Sequence, residues 1–437
     1  NSEDWFDDQE QDIQRLLKDK RQSGDKKGLR DEIRKLKNNW FQQKANDAER
    51  YAQEKNHREL YATLNAVYGP KSKNLHPVRS KTGELLSAPD EIKDRWVEHF
   101  NELLNQPTVV DWEILNEVEQ QPTIQEFDDP VTMEELDTAL KNTKLRKSPG
   151  PDGIVPEVIV HGGNALRSFL LTIFNLFWIT ESLPPDLIDA NISILFKKGD
   201  RSLCKNYRGI SLLSVGKLFA DIILQRLRRL AETIYPESQS GYRRSRSTID
   251  GIFTLRQIME KCREQQCNLH IAFIDFTKAF DCVNRELLFE ILSKLGCPVK
   301  FVRIIRNLYS NMHARLIIDG ELSNPINYNG GVKQGCKLAS TLFGLYAAVL
   351  LYIAFKDVSP SHSIQVRFRY DGDIFDLRRL KSKTKTLSDY IREAQYADDI
   401  AIFCNDPIAL QQLLSAYKLY GVQNRATVEL NGGGCGR

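Results

Sequence analysis

Three aspartates in apolar surroundings are the residues of this sequence best suited to chemistry. Asp275 lies in the apolar run 269–276, and Asp398 and Asp399 stand side by side within the apolar run 394–403. An unpaired carboxylate in such a setting is costly, and adjacent carboxylates repel one another, so we expect cations to compensate them. Magnesium prefers hard oxygen ligands and accepts substrate phosphates in its shell. Two such ions about 4 Å apart can activate a hydroxyl nucleophile and stabilise the leaving oxygen of a phosphoryl displacement.

The same aspartates also permit a purely structural interpretation. Asp398 and Asp399 could form a polar turn, and Asp275 could cap the helix that follows its strand. Spacing alone does not decide between the two interpretations, because the catalytic one requires distant parts of the chain to converge.

A basic segment precedes the first of these aspartates. Between Asn191 and Asp250 there are twelve Lys and Arg residues and five acidic residues, in a chain whose formal net charge is only +3. Such an excess is typical of a surface that binds a polyanion such as nucleic acid. A solvated helix face is the alternative.

Composition sets the broad class of the protein. With 437 residues, 41% of them hydrophobic and 27% charged, the chain is typical of a globular protein, which excludes collagen, a disordered chain and a disulfide miniprotein. The apolar run Leu342–Phe355 is shorter than the roughly 18 residues that span a bilayer, so we expect a buried core helix and no membrane partner. Scattered cysteines are typical of reduced intracellular thiols. Because the sequence does not begin with Met, we expect it to start inside a longer reading frame.

Hydrophobic periodicity predicts the elements that must position the aspartates. Predicted strands are Asn191–Phe196, Leu269–Phe276 and the two sides of a hairpin, 394–403, whose tip is Asp398-Asp399. Predicted helices are Pro89–Leu104, Ala165–Thr180, Gly216–Glu232 and Arg285–Leu295, whereas Pro107–Pro130 is predicted to be irregular and Lys147–Gly153 to be a tight turn. Strands and helices are mixed without a regular βαβ series, so the predicted fold class is α+β.

Several motifs resemble those of a known enzyme family. Phe273-Ile-Asp-Phe-Thr-Lys-Ala-Phe-Asp281 resembles the first catalytic motif of reverse transcriptases, Gly331-Val-Lys-Gln-Gly-Cys-Lys-Leu-Ala339 the second, and Tyr396-Ala-Asp-Asp399 the third. Three upstream signatures resemble the non-LTR (LINE-type) retrotransposon branch: Lys147-Ser-Pro-Gly-Pro-Asp-Gly153, Asn206-Tyr-Arg-Gly-Ile-Ser211 and Gln239-Ser-Gly-Tyr-Arg-Arg-Ser-Arg-Ser-Thr248. The resemblance runs from about Leu85 to Tyr417, with the motifs in the order of the family.

The resemblance implies a right-hand polymerase palm and fingers with an N-terminal helical extension. The implied organisation is a charged helical arm or linker at 1–84, the helical extension at 85–189, fingers at 190–267, a palm with part of the fingers interleaved at 268–417, and a non-family tail at 418–437. A thumb and an endonuclease are not recognisable, so we expect a fragment of a larger element protein.

The resemblance also implies catalytic roles for individual residues. Asp275, Asp398 and Asp399 would be the catalytic, metal-binding triad for two Mg²⁺ ions, with Mn²⁺ able to substitute. The backbone carbonyl of Phe276 would be an additional metal ligand. Phe280, five residues after Asp275, would exclude a ribose 2′-hydroxyl and so favour deoxynucleotides, with a plain core residue as the alternative.

A second group of implied contacts is with the incoming nucleotide. Gln334 and Gly335 would contact the dNTP beside the template base. Lys197 and Arg208 would grip its triphosphate through charge-assisted hydrogen bonds, and Lys198 remains an alternative to Lys197.

Nucleic-acid contacts and departures from the family complete the implied site. Gln239, Arg243 and Arg246 would lie along the template strand, with a solvated surface as the alternative for the two arginines. The second motif usually has Pro where Lys337 and Ser340 stand, so the loop and the start of its helix are expected to differ here.

The implied function is that of an RNA-directed DNA polymerase of a non-LTR retrotransposon. Its partners would be an RNA template, a DNA primer or nicked target DNA, and dNTPs. Its location would be intracellular and, by the mechanism of the family, nuclear, whereas the oligomeric state is not predicted. Two alternatives remain: a non-catalytic nucleic-acid-binding remnant, suggested by the missing thumb, and an RNA-templated RNA polymerase, against which Phe280 argues.

Overall fold

The structure is a computed structural model that describes residues 10–23, 26–68, 76–106, 112–213, 215–275, 278–359, 362–369, 386–422 and 431–432. The chain divides into two compact units, Asn1–Leu75 and His76–Arg437. The finer domain limits that the sequence suggests stay predictions.

The described part of the first unit consists of helices. Its described elements are α1 (Glu10–Ser23), α2 (Lys26–Gln53) and α3 (His57–Tyr68). The long helix α2 packs against both of its neighbours. Among the described side chains of this unit, Ile13 of α1 and Trp40 of α2 are large, apolar and buried.

The second unit mixes helices and sheets, which confirms the α+β class. Its helices are α4 (Pro89–Leu104), α5 (Met133–Lys141), α6 (Pro156–His161), α7 (Gly163–Thr180), α8 (Pro185–Ile188), α9 (Val215–Ile234), α10 (Thr248–Glu264), α11 (Arg285–Lys294), α12 (Val299–Asn307), α13 (Lys337–Lys356) and α14 (Pro407–Val422), with short 3₁₀ helices at Trp112–Glu117, Gln125–Asp128 and Cys204–Asn206. Its strands are β1 (Val78–Arg79), β2 (Leu85–Leu86), β3 (Ala190–Phe196), β4 (Tyr207–Leu212), β5 (His270–Asp275), β6 (His313–Ile318), β7 (Glu321–Leu322), β8 (Ile326–Asn327), β9 (Ile364–Arg369), β10 (Thr386–Ile391), β11 (Glu393–Tyr396), β12 (Asp399–Cys404) and β13 (Asn431–Gly432).

The predicted strands and the four predicted helices are confirmed, with ends within two residues of those expected. The segment Pro107–Pro130 differs from the prediction, because its described part contains two short 3₁₀ helices. Buried Ile114 and Phe127 hold these turns against the core, a tertiary contact that local sequence does not reveal.

Asp275 and Asp399 belong to a sheet with the strand order β11-β12-β5-β13. β12 runs antiparallel to β5, and the register pairs Asp399 with Asp275. β11 and β12 form the predicted hairpin, but Tyr396 pairs with Asp399, so that Ala397 and Asp398 are the two turn residues. The hairpin tip therefore lies one residue earlier than the sequence predicts, because Asp399 already belongs to the strand.

A second sheet carries the start of the basic segment. Its strand order is β4-β3-β6-β7, and β8 pairs with β6. β3 and β4 form an antiparallel hairpin in which Arg208 lies opposite Leu195. The N–H of Lys197 donates to the carbonyl of Asn206 at 2.9 Å and closes the loop of this hairpin.

Helix α13 contains the apolar run Leu342–Phe355 and lies in the core, as expected. Among the described helices it is the one long and apolar enough to cross a membrane by length and composition, yet 83% of its most apolar window is buried inside the protein. It packs against α9 and α14. Phe343 belongs to the main hydrophobic cluster, whereas Leu351 packs beneath the aspartate sheet with Ile274 and Ile400.

A buried arginine joins α9 to the segment 127–135. Arg226, part of the basic segment, is 6% exposed. Its guanidinium donates to the two carboxylate oxygens of Glu135 at 2.7 and 2.8 Å and to backbone carbonyls within 127–130. It also lies over the ring of Trp178 at 4.6 Å. Because its donors are satisfied inside the protein, Arg226 belongs neither to a polyanion-binding surface nor to a solvated helix face.

Candidate active site

Backbone pairing brings together the three aspartates that the sequence singles out. Asp275 is the last residue of β5, Asp399 is the first residue of β12, and the two are cross-strand partners. Directly paired residues of an antiparallel ladder have Cα atoms about 4.5–5.5 Å apart. The side chain of Asp398, in the turn, is half-buried, and that of Asp399 is exposed. Phe276, the predicted additional ligand, lies outside the described residues.

The donor set fits a hard divalent cation. Carboxylate oxygens are the ligands that Mg²⁺ prefers, and the strands that carry them are apolar on either side. Among the side chains that the structure describes, which do not include that of Asp275, no three His, Cys, Asp or Glu form a metal cluster. The metal triad therefore stays a prediction, with which the backbone register agrees.

The turn next to these aspartates has an unusual backbone conformation, which Gln239 supports. Ala397 has φ +61°, in the left-handed region that residues other than glycine seldom adopt. Its N–H donates to Oε1 of Gln239 at 3.1 Å, and the same oxygen accepts the N–H of Gly241 at 2.8 Å. Nε2 of Gln239 donates to Oε1 of Gln395 at 3.3 Å. Gln239 is 1% exposed, so the structure gives it an internal positioning contact, and its predicted contact with nucleic acid stays a prediction.

The segment 238–241 runs beside β11 like a short additional strand. Ser240 N–H donates to the Gln395 carbonyl and Gln395 N–H to the Ser238 carbonyl, both at 2.9 Å. Gly241 makes this approach possible, because a Cβ there would lie 2.3 Å from the backbone nitrogen of Ala397. The motif Gln239–Thr248 therefore begins with residues that hold the turn Ala397-Asp398, here called the aspartate turn, in place.

The predicted sugar-selecting residue is held between two aromatic rings. Phe280 stacks on Phe343 of α13 with ring centroids 4.9 Å apart and meets Tyr242 edge-on at 6.2 Å. A ring packed on two sides has little freedom to move away from a neighbouring group. This arrangement suits a fixed steric barrier.

Tyr242 is a residue of the site to which sequence reasoning assigned no role. It is 46% exposed and has φ +60°. Burial raises the pKa of its hydroxyl, and the carboxylate of Asp398 raises that pKa further. Tyr242 thus links Phe280 to the aspartate turn. In the sequence, the position of this aromatic residue within the basic motif Gln239–Thr248 was the signal that could have indicated a role in the site.

Asp281 is a second residue that sequence reasoning missed, although it directly follows Phe280. Nε2 of Gln334, the predicted nucleotide-contacting amide, donates to Oδ2 of Asp281 at 3.0 Å. Burial raises the pKa of Asp281 to about 7, and the nearby cations Lys278 and Arg208 oppose this rise. Asp281 therefore orients the side chain of Gln334.

Two glycines allow the loop between β8 and α13 to pack closely against Phe280 on one side and against β4 on the other. Gly331 has φ +67°, and a Cβ there would lie 2.6 Å from the carbonyl oxygen of Phe280. Gly335 has φ +113°, and a Cβ there would lie 2.5 Å from the carbonyl oxygen of Ser211. Ser211 N–H also donates to the carbonyl of Gln334 at 2.6 Å. Gln334 is thereby fixed relative to β4 and to the turn after β5.

The charge of Arg208, one of the two predicted triphosphate cations, acts on two groups of this site. Burial raises the pKa of Asp281 and of Tyr242, and the charge of Arg208 opposes both shifts. The contact of Arg208 with a triphosphate stays a prediction. Lys197 and Lys198 are both exposed in the hairpin loop of the same sheet. The choice between these two lysines therefore stays open.

The two predicted template arginines form ion pairs with acidic residues. The guanidinium of Arg243, whose side chain is 11% exposed, lies 3.0 Å from the carboxylate of Glu232. Arg246 pairs with Glu237. Their contacts with a template stay predictions, and neither side chain is a simple solvated cation.

The role of Gln239 can be tested by amide exchange. Gln239→Leu removes the acceptor shared by Ala397 and Gly241 and leaves two buried N–H groups unpaired, at a cost of about 1–3 kcal/mol each. We expect exchange at Ala397, measured by hydrogen–deuterium exchange, to accelerate roughly tenfold or more. Gln257→Leu, which removes a surface glutamine of α10, is the control and should leave Ala397 protected. Equal protection of Ala397 in the Gln239→Leu variant and the unaltered chain would contradict this role.

Comparison with known proteins identifies the family of the chain. The family model described as reverse transcriptase (RNA-dependent DNA polymerase) matches residues 196–431, slightly more than half of the chain. This match reaches into the segment 418–437 that was predicted to be a non-family tail, and that boundary stays a prediction.

Curated relatives come from mobile elements. The chain is 27% identical over 360 residues to the transposon TX1 uncharacterized 149 kDa protein of Xenopus laevis, covering 80% of this chain and 26% of that protein. It is 25% identical to the probable RNA-directed DNA polymerase from transposon BS of Drosophila melanogaster, covering 74% and 36% of the two chains. It is 26% identical to the RNA-directed DNA polymerase from mobile element jockey of Drosophila funebris, covering 70% and 31%. The chain thus spans about a quarter to a third of the length of these relatives. Together with the motifs, these matches mean that the chain belongs to the reverse transcriptase family, in its non-LTR retrotransposon branch.

Proposed function

We propose that this chain is the polymerase core of an RNA-directed DNA polymerase. It would extend the 3′-hydroxyl of a primer with dNTPs along an RNA template and release pyrophosphate. In the full element the primer would be nicked chromosomal DNA, which also implies a nuclear location. Residues 190–267 would serve as fingers and 268–417 as palm, with part of the fingers interleaved.

The observation that carries the proposal is the register of β5 and β12. It pairs Asp275 with Asp399 and leaves Asp398 in the adjoining turn. Ala397 adopts in this turn a left-handed φ that glycine normally supplies, and a buried glutamine supports it. Strain of this kind is typical of functional sites.

The three aspartates would hold two Mg²⁺ ions, with Mn²⁺ able to substitute. Reverse transcriptases generally use such divalent ions. When bound, the ions would increase the acidity of the primer hydroxyl and stabilise charge on the leaving pyrophosphate oxygen. No protein nucleophile is required, because positioning and electrostatic stabilisation suffice for this transfer.

The other residues of the site would bind and select the nucleotide. Arg208, with Lys197 or Lys198, would bind the triphosphate through charge-assisted hydrogen bonds. Gln334, oriented by Asp281, would contact the nucleotide beside the template base. Phe280, held between Phe343 and Tyr242, would exclude a 2′-hydroxyl.

Primer extension tests the activity directly. With magnesium, dTTP and a poly-rA template carrying a DNA primer, we expect extension by the unaltered chain. Asp398→Asn and Asp399→Asn should each lower the extension rate at least about a hundredfold, because each removes a carboxylate that stabilises the transition state.

The matched control for these variants is Asp319→Asn. Asp319 lies in the turn between β6 and β7 with φ +53°, a conformation that Asn tolerates equally well. The extension rate of the Asp319→Asn variant should equal that of the unaltered chain. Binding of the primer and template without any extension by the unaltered chain would support the non-catalytic remnant and contradict the proposal.

Sugar selection tests the role of Phe280 and separates a DNA polymerase from an RNA polymerase. Phe280→Val removes the ring, so we expect the ratio of ribonucleotide to deoxynucleotide incorporation to rise about tenfold, corresponding to about 1.4 kcal/mol of lost discrimination. Phe280→Tyr keeps the ring and should keep the discrimination. An unchanged ratio in the Phe280→Val variant would remove Phe280 from this role, and equal use of both sugars by the unaltered chain would favour the RNA polymerase.

A further inference from the structure

A cavity of about 260 Å³ lies behind the loop that carries Gln334. Its walls come from the segment 143–159, the end of β4, the first turns of α9, and the start of α13. Four lysines and one aspartate line it: Lys144, Lys147, Lys217, Lys337 and Asp221. We call this cavity the lysine pocket.

A partly buried ion pair anchors one side of the lysine pocket. Nζ of Lys337 lies 3.2 Å from Oδ1 of Asp221 and donates to the carbonyl of Asn142 at 3.0 Å. Asp221 is 2% exposed, and its Oδ2 has no hydrogen-bond partner among the described residues. The second motif of reverse transcriptases usually has Pro where Lys337 stands, so the family pattern does not explain this lysine.

The positive charge in the pocket exceeds what Asp221 can neutralise. Lys217 is half-buried, and burial lowers its pKa. The neighbouring cations Lys337 and Lys147 lower the pKa of Lys217 further, whereas Cys336 and Asp221 oppose this effect. Like charges held together in a partly buried cavity are unfavourable unless an anion joins them.

The tight turn 147–153 is fixed against the pocket from outside. Oδ2 of Asp152 accepts the N–H of Val215, the first residue of α9, at 3.0 Å. The other carboxylate oxygen accepts the N–H of Ile154 at 3.1 Å. A carboxylate at a helix N-terminus is favourable, so this contact ties the turn that contains Lys147 to the start of the helix that contains Lys217.

The loop between β8 and α13 separates the lysine pocket from the side of the site where the nucleotide would bind. Gly331 contacts Phe280, and the side chain of Gln334 is directed to Asp281, whereas Gly335 and Lys337 line the pocket. A phosphate in the pocket would therefore lie on the opposite side of the loop from a triphosphate held near Arg208.

We propose that the lysine pocket binds a backbone phosphate of the template strand next to the base that pairs with the incoming nucleotide. This inference rests on the proposed function, because it requires a template at Gln334. Lysine ammonium groups bind phosphate as point charges, and each contact of this kind releases a counterion and makes binding depend on salt.

Residue-specific lysine acylation, read by peptide mass spectrometry on the unaltered full chain, tests the pocket. Oligo-rA annealed to a DNA primer should slow acylation of Lys144, Lys147 and Lys217 at least several-fold. Lys300, which lies over the ring of Trp178 at 5.8 Å on α12, is the internal control and should react at its original rate. Pyrophosphate at the same phosphate concentration should leave the pocket lysines reactive.

Two outcomes would overturn the assignment. Equal acylation of the pocket lysines with and without saturating nucleic acid would exclude a strand from the pocket. Protection by pyrophosphate but not by nucleic acid would assign the pocket to a free phosphate compound.

Salt dependence of binding gives a second measurement. Lys217→Gln and Lys337→Gln should each lower the slope of log affinity against log salt by about 0.7–0.9 for oligo-rA, whereas Lys300→Gln should not change it. A slope unchanged in both pocket variants would contradict the assignment. Neither measurement requires turnover, so a chain that fails to extend a primer but shows protected pocket lysines would contradict the proposed function and leave the pocket as a binding site for a nucleic-acid phosphate.

Discussion

The register between β5 and β12 is the constraint on which the candidate site depends. Ile274 and Ile400, which pair with each other, are each 2% exposed and pack with Leu351 of α13. A slip of one residue would turn these side chains toward the other face of the sheet and expose them. The apolar side chains therefore fix the register, and the register sets Asp275 opposite Asp399. Core packing and the position of the aspartates follow from the same contacts.

Two further contacts make this arrangement rigid. Gln239 supports the left-handed Ala397 from one side. On the other side, the loop between β8 and α13 carries Gln334 and packs against Phe280 and β4. A strained backbone persists only where its surroundings determine it several times over. Residues far apart in the chain thus meet within one network of backbone and side-chain hydrogen bonds, which suits a reaction that depends on positioning.

Sequence reasoning found the elements and the motif residues but not their long-range partners. Helix Pro89–Leu104 and the strand with Asp275 were predictable because local apolar periodicity and a proline at the helix start specify them. Burial of Arg226 against Glu135 was not, because spacing does not reveal which charges find partners inside. The hairpin tip was misplaced by one residue because the turn depends on the dihedral angles of Ala397.

The central claim is that the segments around residues 275 and 398 share one metal site, and iron-directed cleavage tests it most directly. Fe²⁺ bound in place of Mg²⁺ produces, with ascorbate and peroxide, radicals that cut the backbone next to the metal. The account predicts cuts near both Asp275 and Asp398, suppressed together by excess Mg²⁺ and lost together in Asp399→Asn. Cuts near only one of the two segments, or cuts that Mg²⁺ does not suppress, would contradict it.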